Sequence, residues 1–160
     1  MTREDFPLLG SWLARPHVQK WWKETGELEE VERKYGPHID GTDPTLLFLA
    51  EVGGAPIGML QSYWVDDYPG HAESVGLPGA AGVDLFIGEL AYLGRGNGPA
   101  MLRAFVERIL PVWYPGATGV VADRGITNLA SIRAFEKAGF RRGEIVDGED
   151  GLEQLMIFGN

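Results

Sequence analysis

The run Gly94-Arg95-Gly96-Asn97-Gly98-Pro99 restricts the fold more than any other stretch of this chain. It follows an apolar segment, Ala81 to Ile87, in which Val83, Leu85 and Ile87 share one face of a strand and Asp84 and Phe86 the other. It precedes Ala100 to Leu110, where Met101, Leu102, Phe105, Val106 and Ile109 recur at helical spacing. The unit therefore reads strand, glycine loop, helix. Alternating glycines permit positive φ and let the main chain come close to a ligand. Amides at a helix start, aided by the helix dipole, favour an anion. The loop thus suits a phosphate or diphosphate, or else a turn that only joins strand to helix. No Gly-Lys-Ser/Thr follows, so it is not a P-loop. Its G-x-G-x-G spacing, without a regular βαβ unit and a ribose-binding acid about 20 residues on, is not a dinucleotide fingerprint either.

The rest of the pattern is a mixed α/β layer. Asp5, Pro7, Leu8, Leu9, Trp12 and Leu13 predict a first helix, ended by Arg15-Pro16. Val18 to Trp22 and Glu27 to Tyr35 predict two more, with Gly36-Pro37 and Gly41-Thr42-Asp43-Pro44 as breakers. Thr45 to Val52 and Ala55 to Trp64 read as an antiparallel pair turned at Gly53-Gly54. A loop rich in Asp, Gly and Pro follows over residues 66–80. Gly119 to Ala122 is a short strand and Asn128 to Ala138 a helix closed by Gly139. Arg141 to Val146 and Leu152 to Phe158 make a last hairpin, turned by Asp147-Gly148-Glu149-Asp150-Gly151. The 160 residues suit one domain spanning 1–160.

Composition narrows the chemistry. There is no cysteine, which excludes disulfides, a cysteine nucleophile and thiolate metal sites. His17, His38 and His71 show no metal-ligand spacing, so no metal is expected. Ser11, Ser62, Ser74 and Ser131 lie in no nucleophile elbow. The formal charge of −9 repels nucleic acid and attracts cations, besides serving solubility. No apolar run approaches the roughly 18 residues of a membrane span. The charged start Met1 to Asp5 is no signal peptide, and a cytoplasmic location is expected.

Two motifs carry a resemblance. Leu93-Gly94-Arg95-Gly96-Asn97-Gly98 resembles the pyrophosphate loop of the GNAT acetyltransferases, (Gln/Arg)-x-x-Gly-x-(Gly/Ala), with Leu93 where Gln or Arg usually stands. Asn128 to Phe140, NLASIRAFEKAGF, resembles the family's later helix. Within the family the chain is most similar to the aminoglycoside 6'-N-acetyltransferases. That likeness rests on Trp21-Trp22 after His17, Pro56-Ile57-Gly58, Gln61-Ser62-Tyr63, Gly82-Val83-Asp84 and Asp123 five residues before Asn128. Three departures stand out. Phe135 replaces a common Tyr, Arg124-Gly125-Ile126-Thr127 replaces a proline-containing bridge, and the family's opening strand is missing or very short. Without that strand a sheet edge needs covering.

The resemblance implies a GNAT fold: a mixed, mostly antiparallel sheet with a splayed parallel pair, flanked by helices. It also implies direct acetyl transfer from acetyl-CoA to a primary amine of a small polycationic acceptor, by a monomer or homodimer. Leu90, Ala91 and Tyr92, at the end of one splayed strand, would offer amides to the thioester carbonyl. Gly94, Arg95, Gly96, Asn97, Gly98 and Pro99 would take the diphosphate, and Asn128 the pantetheine arm or the splay itself. Asp84 would bind the reacting ammonium and accept its proton, and Asp123 would bind the acceptor's other ammonium groups. Asp66 and Asp67 would extend the anionic wall, while Trp22 and Tyr63 would face a sugar ring or a cation. Phe135 lies where relatives place a phenol that protonates the departing thiolate.

Each assignment has a plainer rival. Asp84 would be structural if paired with a core arginine, Asp123 if it capped a helix, and Asp66 and Asp67 if they were solvated loop acids. Other acceptors fit the same loop: a siderophore-type N-hydroxylysine, or a protein or peptide amine. A GNAT module that binds CoA without reacting is the non-enzyme alternative.

Overall fold

Proline and glycine set the boundaries of the opening helices. The computed structural model describes residues 1–148 and 151–159. A 3₁₀ turn, Arg3–Asp5, leads into α1 (Phe6–Leu13), which carries Pro7 in its first turn, where the missing N–H costs nothing. α2 (Pro16–Trp22) also opens on a proline. α3 (Leu28–Asp40) runs past Gly36-Pro37, which the sequence marks as breakers. The helix carries Gly36 without a break; a Cβ there would stand 3.2 Å from the guanidinium of the exposed Arg3, which can give way. Beyond Pro37 the helix completes one more turn and stops at Gly41, at φ 72°.

β1 (Leu46–Val52) and β2 (Ala55–Trp64) flank Gly53 and Gly54, at φ 60° and 80°, the paired positive angles of a tight hairpin. The segment read from sequence as a loop holds a 3₁₀ turn, Val65–Asp67, and a short helix, α4 (Pro69–Val75). Val75 and Ala72 give that helix an apolar side, which a search for turn residues overlooks. β3 (Ala81–Ile87) ends sooner than expected. Leu90–Tyr92 forms a 3₁₀ turn, not a strand end. After the glycine loop, α5 (Asn97–Ala104) continues through a π-helical turn, Phe105–Ile109, into α6 (Leu110–Trp113). Pro111 lies just past the π turn, where its ring and missing N–H disfavour ordinary α-helical bonding to the preceding turn. β4 (Val120–Gly125) is longer than Gly119 to Ala122 and includes Asp123 and Arg124. α7 (Leu129–Lys137), β5 (Arg141–Gly148) and β6 (Gly151–Phe158) complete the chain. Glu149 and Asp150 of the expected turn lie outside the described residues.

The strands follow the order β1-β2-β3-β4-β6-β5. β3 and β4 are parallel, with Ala81 opposite Val120 and Gly82 opposite Val121. β4 and β5 both run antiparallel to β6. This is the mixed α/β sheet with one parallel pair that the resemblance implies. No strand precedes α1 among the described residues, and the Met1 ammonium donates to Leu47 O of β1 at 3.3 Å.

Two compact units divide these elements: Met1–Gln61 with Leu85–Arg95, and Ser62–Asp84 with Gly96–Asn160. In the first, Phe6, Leu9, Leu13, Val18, Val31, Tyr35, Leu47 and Met59 form a core. In the same unit only glycine fits at position 88, where any Cβ would meet the buried Trp12 ring at 2.2 Å. In the second, Val65, Val75, Ala80, Val121, Leu155 and Ile157 form another.

Candidate active site

The second unit gathers a set of charged and polar side chains on β2, β3, β4, β6 and α4. Gly82 makes room for it: a Cβ would stand 2.3 Å from the Tyr63 ring, so only glycine lets that ring lie flat on β3. The Tyr63 hydroxyl lies 3.3 Å from His71 Nε2, and His71 Nδ1 lies 3.6 Å from Asp123 Oδ2. Tyr68 and His71 pack edge-on against the Tyr63 ring. Burial, and then the carboxylates of Asp84 and Asp123, raise the Tyr63 phenol well above its ordinary pKa, so it stays a neutral hydroxyl.

Asp123 and Arg124 are neighbours on β4 and therefore leave the sheet on opposite faces. The arginine is long enough to turn back. Its Nη2 bonds Asp84 Oδ1 and lies 3.5 Å from Asp123 Oδ1, while its guanidinium carbon lies 5.5 Å from the centre of the Phe135 ring. Burial opposes its charge, but Asp84 and Asp123 outweigh burial and leave its pKa above the usual arginine value. Its Nε is buried with no hydrogen-bond partner among the described residues.

A third carboxyl joins from β6. Glu153 pairs with Gly125 in the β4–β6 register, which sets it diagonal to Asp123 on the same face. Burial, the charges of Asp123 and Asp84, and a hydrogen bond with Asp123 push it up to about 7, against the pull of Arg124.

The expected residues are placed unevenly. Tyr63, Asp84 and Asp123 come together. Asp84 does pair with an arginine, the arrangement that favours a structural role, yet that arginine is shared with Asp123 and outnumbered by carboxyls. Asp123 is a strand residue; the cap of α7 is Asn128, whose Oδ1 accepts from Ser131 N at 3.2 Å. Asp66 and Asp67 are exposed, and Asp66 accepts from Gly79 N at 3.0 Å. Phe135 is 1% exposed and meets Phe140 edge-on. Trp22 belongs to the first unit, where its Nε1 donates to Tyr35 Oη at 2.9 Å and its ring packs on Phe86. Trp21 is exposed under Lys20.

The glycine loop has the backbone its composition demands. Gly94 and Gly96 take φ 70° and 83°, and a Cβ at either would meet nothing within 4 Å, so open space lies over both. Gly96 caps α5. Gly98 has an ordinary φ and faces Ala134 of α7 at 3.5 Å. In the turn before the loop, Leu90 and Ala91 are exposed, while Tyr92 N is already bonded to Glu89 O and Leu93 N to Leu90 O. Tyr92 therefore has no spare amide for a thioester carbonyl, contrary to expectation, because the chain has turned out of the strand.

Three residues escaped the sequence reading. Arg124 entered it only as part of an altered bridge, His71 was judged by metal-ligand spacing alone, and Glu153 was not singled out. Only the β4–β6 register brings Glu153 to Asp123, and no local spacing encodes that register.

Comparisons with known proteins identify the family. An acetyltransferase (GNAT) domain model matches residues 2–148. Over 161 aligned residues, covering 98% of this chain and 79% of the relative, the sequence is 33% identical to an aminoglycoside N(6')-acetyltransferase type 1 of Klebsiella pneumoniae. Crystal structures of aminoglycoside acetyltransferase AAC(6')-Ib, one with coenzyme A and one with coenzyme A and kanamycin, each superpose with a TM-score of 0.90 at 33% identity. Both cover 100% of this chain and 92% of theirs.

Proposed function

Because the chain belongs to the GNAT acetyltransferase family, we propose that residues 1–160 act as one catalytic domain that acetylates a primary amine of a polycationic acceptor, the 6'-amine of an aminoglycoside. The observation that carries this reading is the set of three carboxyls, Asp84, Asp123 and Glu153, around the single guanidinium of Arg124. One cation does not neutralise three acids, and the excess negative charge attracts the ammonium groups of such an acceptor.

Acetyl-CoA, when bound, supplies an activated thioester for direct transfer without an acyl-enzyme. The residues of the glycine loop fit its diphosphate. Helix starts leave amides without intrahelical partners. Gly96 stands at the start of α5 under open space, followed by Asn97 and Gly98, while Pro99, which has no N–H, lies in its first turn. Gly94 and Arg95 precede it, and Leu90 and Ala91 offer exposed main chain. Asn128 holds the start of α7 in place. Asp84 and Asp123 anchor the reacting ammonium and its neighbours, and the Tyr63 hydroxyl donates or accepts beside them. Asp66 and Asp67 lie exposed at the turn after β2, where they add long-range attraction. Trp22, the other aromatic expected at the acceptor, stays with Tyr35 and Phe86 in the first unit. Phe135 acts through Arg124, as the apolar floor beneath it.

The test is thiol release from acetyl-CoA with kanamycin, with and without Asp84→Asn. The expected result is release that depends on kanamycin and falls about 100-fold or more in the variant. Release only with lysine derivatives or peptides would replace the acceptor. Coenzyme A binding with no release for any amine would reduce the protein to a binding module.

A further inference from the structure

We propose that Arg124 is a positioning residue for Asp84 and, as a fixed cation inside the acid cluster, the residue that limits how tightly a polycation binds there. Its effect on turnover rests on the acetyltransferase reading above; its effect on binding does not.

The main chain around Arg124 is firmly held. In the β4–β6 register Arg124 stands opposite Gln154. Just beyond it, Asn128 N donates to Gly125 O at 2.8 Å and Ile126 N to Leu152 O at 3.1 Å. The register of β3 with β4 pairs Ala81 with Val120 and Gly82 with Val121, two residues short of Asp84 and Asp123. At that level the Arg124 side chain links the strands: its Nη2 bonds Asp84 Oδ1 and lies 3.5 Å from Asp123 Oδ1. Phe135, 1% exposed, lies under the guanidinium, whose carbon is 5.5 Å from the ring centre. A planar cation seated between an aromatic ring and a carboxyl has few orientations left. It therefore fixes the direction of the Asp84 carboxyl, which the reading above sets against the reacting ammonium.

The same arrangement makes a poor strut. A cation buried for stability alone is expected to complete its hydrogen bonds, and Arg124 Nε has no partner among the described residues. What the arrangement does achieve is charge placement. Arginine keeps its proton at any ordinary pH, so a positive charge always stands among the acids. Of the three side chains, Arg124 is the least exposed, at 12%, and Asp123 the most, at 23%. A cation arriving from solvent thus meets Asp123 first and finds a guanidinium already on Asp84. That like charge repels it. The site gives up affinity for a polycation and gains a carboxyl held in one direction.

Calorimetry and steady-state kinetics on Arg124→Gln test this. Kd for kanamycin, and for spermine as a bare polycation, is expected to fall about tenfold at low salt, a gain that shrinks at about 0.5 M NaCl. With kanamycin as acceptor, kcat is expected to fall about 100-fold. Tighter binding joined to slower turnover is the signature, because a merely structural loss would weaken both. Arg124→Lys keeps the charge without the planar fork. Its Kd should stay within about threefold of wild type while kcat remains about tenfold low or lower, and this variant carries the test if Arg124→Gln does not fold. Weaker or unchanged polycation binding in Arg124→Gln overturns the proposal. So does full kcat, or a Kd shifted about tenfold, in Arg124→Lys. If the wild type acetylates no aminoglycoside while Arg124→Gln still binds spermine more tightly, the acceptor reading fails and the internal cation stands.

Discussion

Each unit contains an arginine beside acids, and the two settings differ in how completely they are satisfied. In the first unit Arg15 Nη1 meets Glu89 Oε2 at 2.8 Å and Gly88 O at 2.7 Å, and Glu89 Oε1 accepts from Trp12 Nε1 at 2.8 Å. One cation meets one anion, and the spare oxygen has its own donor. Hydrogen bonds from Arg15 and Trp12 accordingly hold Glu89 below the usual carboxyl range. In the second unit one arginine meets Asp84 and Asp123, with Glu153 beside them, and its Nε is unpartnered. There a glutamate is pushed up to about 7. A balanced pair is finished by folding alone. An unbalanced one leaves negative charge that the described residues do not match, which is the ground on which the cluster is proposed as a binding site.

Replacing the two arginines is the strongest way to break this contrast. Arg124→Met removes the one guanidinium that meets Asp84 and Asp123 among the described residues and leaves three half-buried acids together, which is expected to cost about 3 kcal/mol. Arg15→Met removes one partner of a pair about one-third exposed on each side, and about 1 kcal/mol or less is expected. Thermal denaturation at about pH 8 and again at about pH 5 checks both. The Arg124→Met loss should shrink at low pH, as protons take the place of the missing cation. Equal losses for the two variants would make Arg124 an ordinary packing residue.

A smaller effect comes from the glycine loop. Gly96→Ala forces a side chain into φ 83°, at a cost of about 1–2 kcal/mol. It also places a methyl group in the open space proposed for the diphosphate. KM for acetyl-CoA is expected to rise about tenfold, with little change in KM for kanamycin. Gly98→Ala, whose Cβ would meet Ala134 at an ordinary 3.5 Å, should alter neither much. Equal KM values for both variants would remove the loop from the cofactor site.

The loop and the acid cluster also differ in how far the sequence reveals them. The glycine loop is local: alternating glycines, a proline and a helical pattern lie within a few residues, and φ at Gly94 and Gly96 follows from residue type. The late helix is local in the same sense, whereas the parallel pairing of β3 with β4 came only from the resemblance and the Asn128 cap only from the structure. The cluster is not. Asp84 and Asp123 were reachable by resemblance, but Glu153 meets Asp123 only through the β4–β6 register, and Arg124 meets Asp84 by crossing from the other face. Misread boundaries share a cause. α3 runs on past Gly36 as its buried Val31 and Tyr35 pack in the core, and α4 forms by an apolar side against Val65 and Ala80, so tertiary packing overruled local breakers.

The two glutamates sharpen the contrast through opposite pH dependence. Glu153 titrates higher in the folded protein than its ordinary 4.5, so the folded state holds more protons than the unfolded chain between about 4.5 and 7. Stability therefore falls as pH rises through that window. Glu153→Gln should be more stable than wild type at pH 8, by about 1 kcal/mol after solvent screening of a partly exposed carboxyl, and equal to it near pH 4. For Glu89 the sign reverses. Its lowered value stabilises the fold above about 4.5, and that contribution is lost as pH falls through the folded value. Glu89→Gln should lower Tm at pH 8 by about 2 °C and converge with wild type in acid. Chemical denaturation across this range decides it. Two variants that shift stability in the same direction would erase the distinction between the units.

The smallest expected effect bears on the one unsatisfied atom of the cluster. Phe135→Tyr adds a hydroxyl to a ring that lies 1% exposed beneath Arg124. A buried hydroxyl without a partner would cost about 1–3 kcal/mol, but Arg124 Nε is a buried donor with no acceptor. If the hydroxyl reaches it, Arg124 becomes as fully satisfied as Arg15, and Tm should hold or rise. The phenol also restores a proton donor near the site of transfer. A departing thiolate with a pKa near 8.5 leaves without help, only more slowly, so kcat is expected to rise about threefold, not by orders of magnitude. Steady-state kinetics with kanamycin and a thermal melt of the same sample separate the two effects. Unchanged kcat with a raised Tm would mean that the hydroxyl serves Arg124 alone. A lowered Tm with unchanged kcat would mean that position 135 contributes only its apolar surface.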